Sequence, residues 1–224
     1  MLLRVRRGQH TPFAALYGAV PAVPFVEDTF TDTSGEDLRT QHTGEIGATW
    51  SVNTGTATAA MTFSDANRIY SNTAGTMHPS GTPADADYYV EGDLYTRSLQ
   101  NNTNGFSVGL RFSTVTVSGY TFGWIGDTGG TGHGAWTIRR LDAGTPTLLA
   151  AAAAETLTVT THYIMRLTAV GNILTGSVNG VDVATYDITP DVTKYTAAGV
   201  PAFRCTGALS NTTGLHLDYF RAYD

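Results

Sequence analysis

From Phe25 onward the chain is divided into short runs that alternate apolar and polar side chains, separated by clusters of Gly, Asn, Asp, Pro and Ser. In "FSVGLRFSTV", Phe106, Val108, Leu110 and Phe112 fall on one face, and Ser107, Gly109, Arg111 and Ser113 on the other. Tyr163, Met165 and Leu167 alternate in the same way with Arg166 and Thr168. A period of two belongs to a strand with one face packed and one face wet. Many such runs, each ended by turn residues, predict an all-β sandwich or barrel built from antiparallel strands.

Three stretches predict hairpin turns: "LQNNTNG", "VGN" and Asn179-Gly180. The last is the strongest, because both residues tolerate positive φ. The alanine-rich Leu148 to Glu155 is the one helical temptation. Alanine favours helix, but so short a run is marginal by itself. Pro146 and the Thr-rich "TLTVTT" flank it, so it is expected to be extended, with a short helix as the alternative.

The 224 residues suit one large β domain. The net charge of −6 is unevenly spread. Residues 1–24 carry Arg4, Arg6 and Arg7 and no acid, leaving 10 basic against 19 acidic residues, net −9, in residues 25–224. We therefore expect an N-terminal arm, residues 1–24, with a partner of its own, and a separate acidic domain over residues 25–224. Phe13 and Tyr17 are the arm's aromatic anchors beside its three arginines. An acidic body argues against a nucleic-acid partner. Cys205 is the only cysteine, which excludes an internal disulfide and a cysteine zinc cluster. No apolar run approaches the length of a membrane helix. "AALYGAVPAVPFV" behind "RVRR" is a poor signal peptide, being broken by Pro21 and Pro24.

One stretch suggests ligand binding on its residues alone. "GWIGDTGGTGHGAW" joins Trp124 to Trp136 through a Gly-rich segment holding Asp127 and His133. Aromatic faces flanked by polar groups suit sugars, whose C–H faces are apolar and whose rims are hydroxyl. Against that, Tyr120, Phe122 and Trp124 alternate on one face, as do Trp136 and Ile138, which is the pattern of a core.

"DTFTDTSGEDLRTQHTGEIGATW", the double hairpin "YIMRLTAVGNILTGSVNGVDVATYD" and the closing "LHLDYFRAYD" together resemble the concanavalin A-like lectin/glucanase family, also called laminin-G-like jelly rolls. The resemblance covers most of the chain and implies a two-sheet antiparallel jelly-roll sandwich preceded by an extended arm. Its members include lectins, glycanases, adhesion modules and bacteriophage virion proteins, and fold does not choose among them. In the glucanases one strand carries Glu-x-Asp-x-Glu. Here Glu91 and Asp93 are present, but Tyr95 stands where the second glutamate belongs. A phenol is a poor proton donor to a departing sugar, so no catalytic residues are assigned. Glu91 and Asp93 are instead expected on a wet sheet face, paired with Arg111 across a hairpin closed by "LQNNTNG".

The resemblance also makes calcium conceivable, at Asp127 or at Asp28 and Asp32. No dense aspartate run supports it, so neither a metal nor another cofactor is expected. The expectation that follows is a non-enzymatic bacteriophage virion protein of capsid or tail. Its arm would dock on other virion proteins or on copies of itself in a homo-oligomer. Its sandwich would hold host-surface glycans near Trp124, Asp127, His133 and Trp136. The alternatives are a secreted or cell-surface bacterial carbohydrate-binding or adhesion module and, behind it, a glycoside hydrolase.

Overall fold

The computed structural model describes residues 22–53, 61–71, 73–98, 105–126, 133–207 and 209–224. The arm residues Arg4, Arg6, Arg7, Phe13 and Tyr17, as well as Asp127, lie outside the described residues. No helix occurs among the described residues, which form sixteen strands in two antiparallel sheets.

The first sheet runs in the order β14 (Val181–Asp187), β13 (Ile173–Val178), β12 (His162–Val170), β6 (Tyr89–Thr96), β16 (Leu215–Tyr223), β4 (Ile69–Ser71), β3 (Met61–Phe63), with β1 (Val26–Asp28) also on β16. The second runs β10 (Thr145–Ala151), β9 (His133–Asp142), β8 (Gly119–Gly126), β7 (Phe106–Phe112), β15 (Val200–Cys205), β5 (Gly75–His78), β2 (Ser51–Val52), with β11 (Glu155–Thr156) on β9. This is the two-sheet jelly-roll sandwich that the resemblance implies. The first and last strands pair, Val26 opposite Ala222.

One face of each sheet meets the other in a single large core. Trp50, Phe203 and Phe220 pack at centroid distances of 4.9–5.8 Å at one end. Phe122, Trp124, Trp136 and Tyr163 pack at 5.6–5.9 Å at the other. Rings in tilted and edge-on arrangements add a little to the area they bury. Between the sheets, Gly176 of β13 lies under the Phe122 ring of β8, so close that a Cβ there would fall 2.3 Å from it.

The β12–β13–β14 hairpins form as expected. Val178 pairs with Val181 around Asn179 (φ 50°) and Gly180 (φ 79°), the two positive φ values that a type I′ turn requires. Leu148 to Ala151 is extended, in an edge strand with a bulge at Leu148–Ala150.

Two expectations fail. Leu99 to Asn104 of "LQNNTNG" lie outside the described residues, but the strands it joins, β6 and β7, belong to different sheets, so it closes no hairpin. Arg111 is consequently nowhere near Glu91 across a ladder. It adopts φ 55° in a bulge of β7 against β15, between the pairs Gly109–Ala202 and Phe112–Val200. The extra residue reverses the alternation. Phe112 turns away from the core to join a small second cluster with Val117, Leu141, Val200 and Ala202. Arg111 is buried, and its guanidinium donates to the carbonyls of Ala86 (2.9 Å) and Gly171 (2.8 Å). The side chain thus ties the second sheet to loops of the first.

Candidate functional site

The two outer faces of the sandwich treat charge in opposite ways. On the first sheet, Glu91 and Asp93 point outward as the alternation predicts, but they are covered rather than wet, each only 7% exposed. Glu91 accepts from Arg166 Nη2 (2.6 Å) and from the Tyr219 hydroxyl (2.8 Å). Arg166 lies over the Tyr89 ring at 4.6 Å, and Tyr89 stacks on Tyr223 at 4.7 Å. Asp93 bonds His162 Nδ1 (2.8 Å), and burial raises its pKa against that contact. Tyr95, at the place of the missing glutamate, carries the Arg68 guanidinium 3.8 Å above its ring.

A third acid, Asp218 of β16, reaches this group, and ligand atoms of Asp93, His162 and Asp218 lie within 4.8 Å of one another. Three such ligands could touch one cation. Arg68 Nε, however, already sits 2.6 Å from Asp218, supplying positive charge where a metal would bring it. None of the cavities described below is lined by Glu91 or Asp93.

The calcium candidates are also engaged. Asp28 is fully buried and accepts from Trp50 Nε1 (2.6 Å) and the Phe30 amide (2.8 Å), with His42 Nε2 at 3.0 Å. His42 Nδ1 meets Asp32 at 3.0 Å, so the imidazole bridges the two carboxylates. Burial raises the Asp28 pKa in spite of these contacts.

Trp124 and Trp136 are not an exposed platform. They are 4% and 1% exposed, because the even-numbered residues of β8 and β9 face the core. Trp136 Nε1 donates to Glu155. His133 is exposed at the start of β9, with Nδ1 3.2 Å from the Thr156 hydroxyl. Of the sequence-predicted glycan residues described, Trp136 borders a cavity of about 280 Å³ with Ala152, Ala153, Glu155 and Val183, and His133 lines a larger one.

That cavity lies on the outer face of the second sheet. A cleft of about 510 Å³ is walled by Ile125, His133, Ala135, Leu148, Ala151 and Arg139, within the usual size of a ligand pocket. A tighter recess of about 30 Å³ continues from it past Thr137 and Arg139 to Ser107, Thr121, Gly123 and Arg204. The register explains the shape. Arg204, Ser107, Gly123, Thr137 and Ala151 form one row across β15, β7, β8, β9 and β10; Ala202, Gly109, Thr121 and Arg139 form most of the next. Small residues fill the middle of both rows, and an arginine stands at one end of each.

Those arginines went unnoticed in the sequence. Every other arginine among the described residues lies within 4 Å of a carboxylate, whereas Arg139 and Arg204 have none. Arg204 makes one long contact, to the Thr76 hydroxyl at 3.4 Å. Arg139 Nε and Thr137 Oγ1 are buried and without a partner. Burial lowers the pKa of both arginines, and the charge of Arg139 lowers that of Arg204 further. The signal was present in the alternation, which turns Arg139 outward beside the inward Trp136 and Ile138. The absence of a neighbouring acid, however, depends on a four-strand register.

The two antiparallel sheets form a jelly-roll sandwich. The fold is similar to that of the carbohydrate-binding module CBM66 from Bacillus subtilis (12% identity, TM-score 0.59, covering 79% of this chain and 96% of that one). It is also similar to a structure reported for endo-acting O-glycanases of human gut microbiota that initiate mucin breakdown (8%, 0.57, 90% and 99%). A third is the CBM2 module of the evolved Dit protein of Lactobacillus casei BL23 phage J-1 (11%, 0.50, 89% and 96%). At these identities the likeness is one of fold. No family model matches the sequence, and no curated protein matches it.

Proposed function

We propose that this chain is a non-catalytic glycan-binding module whose site is the outer face of the second sheet. The observation that carries the reading is the contrast between the faces. On the first sheet each arginine is matched by a carboxylate, Arg166 by Glu91 and Arg221 by Glu27. On the second, an open cleft with aliphatic walls leads to polar groups that the protein leaves unsatisfied. Aliphatic surface for C–H faces beside unmet donors is what a sugar ring needs. The carbohydrate-binding neighbours support the same reading. Against hydrolysis stand the engagement of Glu91 by Arg166 and Tyr219 and the replacement of an acid by Tyr95. A glycan array tests the proposal. We expect saturable binding that is lost in Ala151→Trp, which fills the cleft from an exposed edge strand. Absence of binding, or full binding by the filled variant, would refute it.

A second layer concerns setting. The basic leader of residues 1–24 on an acidic body, together with the likeness to a phage Dit module, favours a virion protein of capsid or tail docked by that leader. A secreted or surface-borne bacterial module is the alternative. Removing residues 1–24 should leave the melting curve unchanged and abolish incorporation into particles; normal incorporation of the truncated chain would exclude the docking role.

A further inference from the structure

The unpaired arginines narrow the ligand, on the premise that the second sheet's outer face is the glycan site. We propose that the glycan is acidic, its carboxylate or sulfate seated between Arg139 and Arg204 above Ser107, Gly123 and Thr137.

Geometry carries this first. Arg139 and Arg204 are three strands and one row apart, so their backbones stand about 15 Å from each other. Both line the same recess, so the long side chains converge over the residues between them. Convergence is possible because those residues are small: Gly123 at the centre has no side chain, and Ser107, Thr121 and Thr137 are short. A Leu or Phe at any of these positions would separate the arginines.

Charge carries it second. An arginine partly removed from water is ordinarily compensated by a carboxylate, and every other described arginine here has one within reach. The exceptions are the two that face each other, in a chain with acids in excess. Like charges brought together in a recess raise the free energy of the unliganded protein. An anion placed between them removes both the repulsion and the cost of dehydration.

Unmet hydrogen bonds carry it third. Thr137 is 6% exposed, and its hydroxyl, which lines the recess, has no partner; nor does Arg139 Nε. Guanidinium Nε and Nη donors match carboxylate and sulfate oxygens in pairs, and a threonine hydroxyl supplies another donor. The adjoining cleft, with Ile125, Leu148 and Ala151, then takes the uncharged remainder of the sugar. A neutral sugar would use the cleft and leave the recess unsatisfied.

The experiment is an array of neutral, uronate-bearing, sialylated and sulfated glycans, probed with the wild type, Arg139→Gln, Arg204→Gln and Ala151→Trp, with melting curves to verify folding. We expect hits confined to acidic members, weakened at least tenfold by either glutamine and in 0.5 M salt. Hits on carboxylated or on sulfated members identify which anion is held. Hits on neutral glycans that are lost in Ala151→Trp but kept by both glutamine variants would overturn the acidic assignment while leaving glycan binding intact. An array without hits would overturn both. Binding to a single-stranded oligonucleotide that equals the best acidic glycan would reassign the recess to polyphosphates and overturn the assignment to sugars.

Discussion

At the scale of single residues, this protein shows how little a carboxylate pair says about chemistry until its neighbours are known. The sequence placed Glu91, Asp93 and Tyr95 on one outward face, and the structure agrees. Their partners, Arg166 and His162 of β12, Tyr219 of β16 and Arg68 just before β4, are not legible, because partner identity depends on register rather than on local pattern. His216 makes the same point and yields a prediction. It is fully buried beside Tyr70, its Nε2 donating to the Ser210 carbonyl at 3.0 Å and its Nδ1 without a partner. Burial, with Arg97 and Arg68 nearby, lowers its pKa below 6.5. The folded protein therefore resists protonation that the unfolded chain accepts. Stability from this site is complete above pH 6.5 and declines as the pH falls from there through the lower folded value. Melting temperatures at pH 7 and pH 5 should drop more for the wild type than for His216→Gln. Equal drops would show that the imidazole does not govern acid sensitivity.

Elements were legible where the signal was local and illegible where it was topological. The Asn179-Gly180 turn and the alternation of β12 and β13 needed nothing beyond neighbouring residues. "LQNNTNG" resembled a hairpin loop, yet its flanking strands lie in opposite sheets, and composition cannot tell a turn from a crossing. The bulge at Arg111 likewise has no marker, since a positive φ falls there on a residue that gives no warning of it. Tryptophans 124 and 136 were open to two readings, and the strand period decided for the core. Close approach of the sheets gives the element-scale prediction. Gly176→Ala would drive a methyl into the Phe122 ring, and overpacking of this kind costs about 1–3 kcal/mol. Chemical denaturation should show a loss of that size; an unchanged midpoint would mean the two sheets are farther apart than described.

For the whole molecule, the jelly roll could be expected from strand spacing and a diffuse resemblance, whereas the candidate site could not. His133 was the one described residue singled out beforehand that borders the cleft. Arg139 and Arg204 emerge only when four strands are laid side by side and charges are compared across them. The sandwich differs by sheet: the first pairs its arginines with carboxylates, and the second holds two arginines, Arg139 and Arg204, without one.

The pairing of β1 with β16 bears on how such a body is mounted. Val26 sits beside Ala222 in the first sheet, so the first and last strands lie together in the sheet opposite the one that carries Arg139 and Arg204. A tether attached at either end of the sandwich would therefore join it at the first sheet and leave the second sheet's outer face uncovered by that attachment.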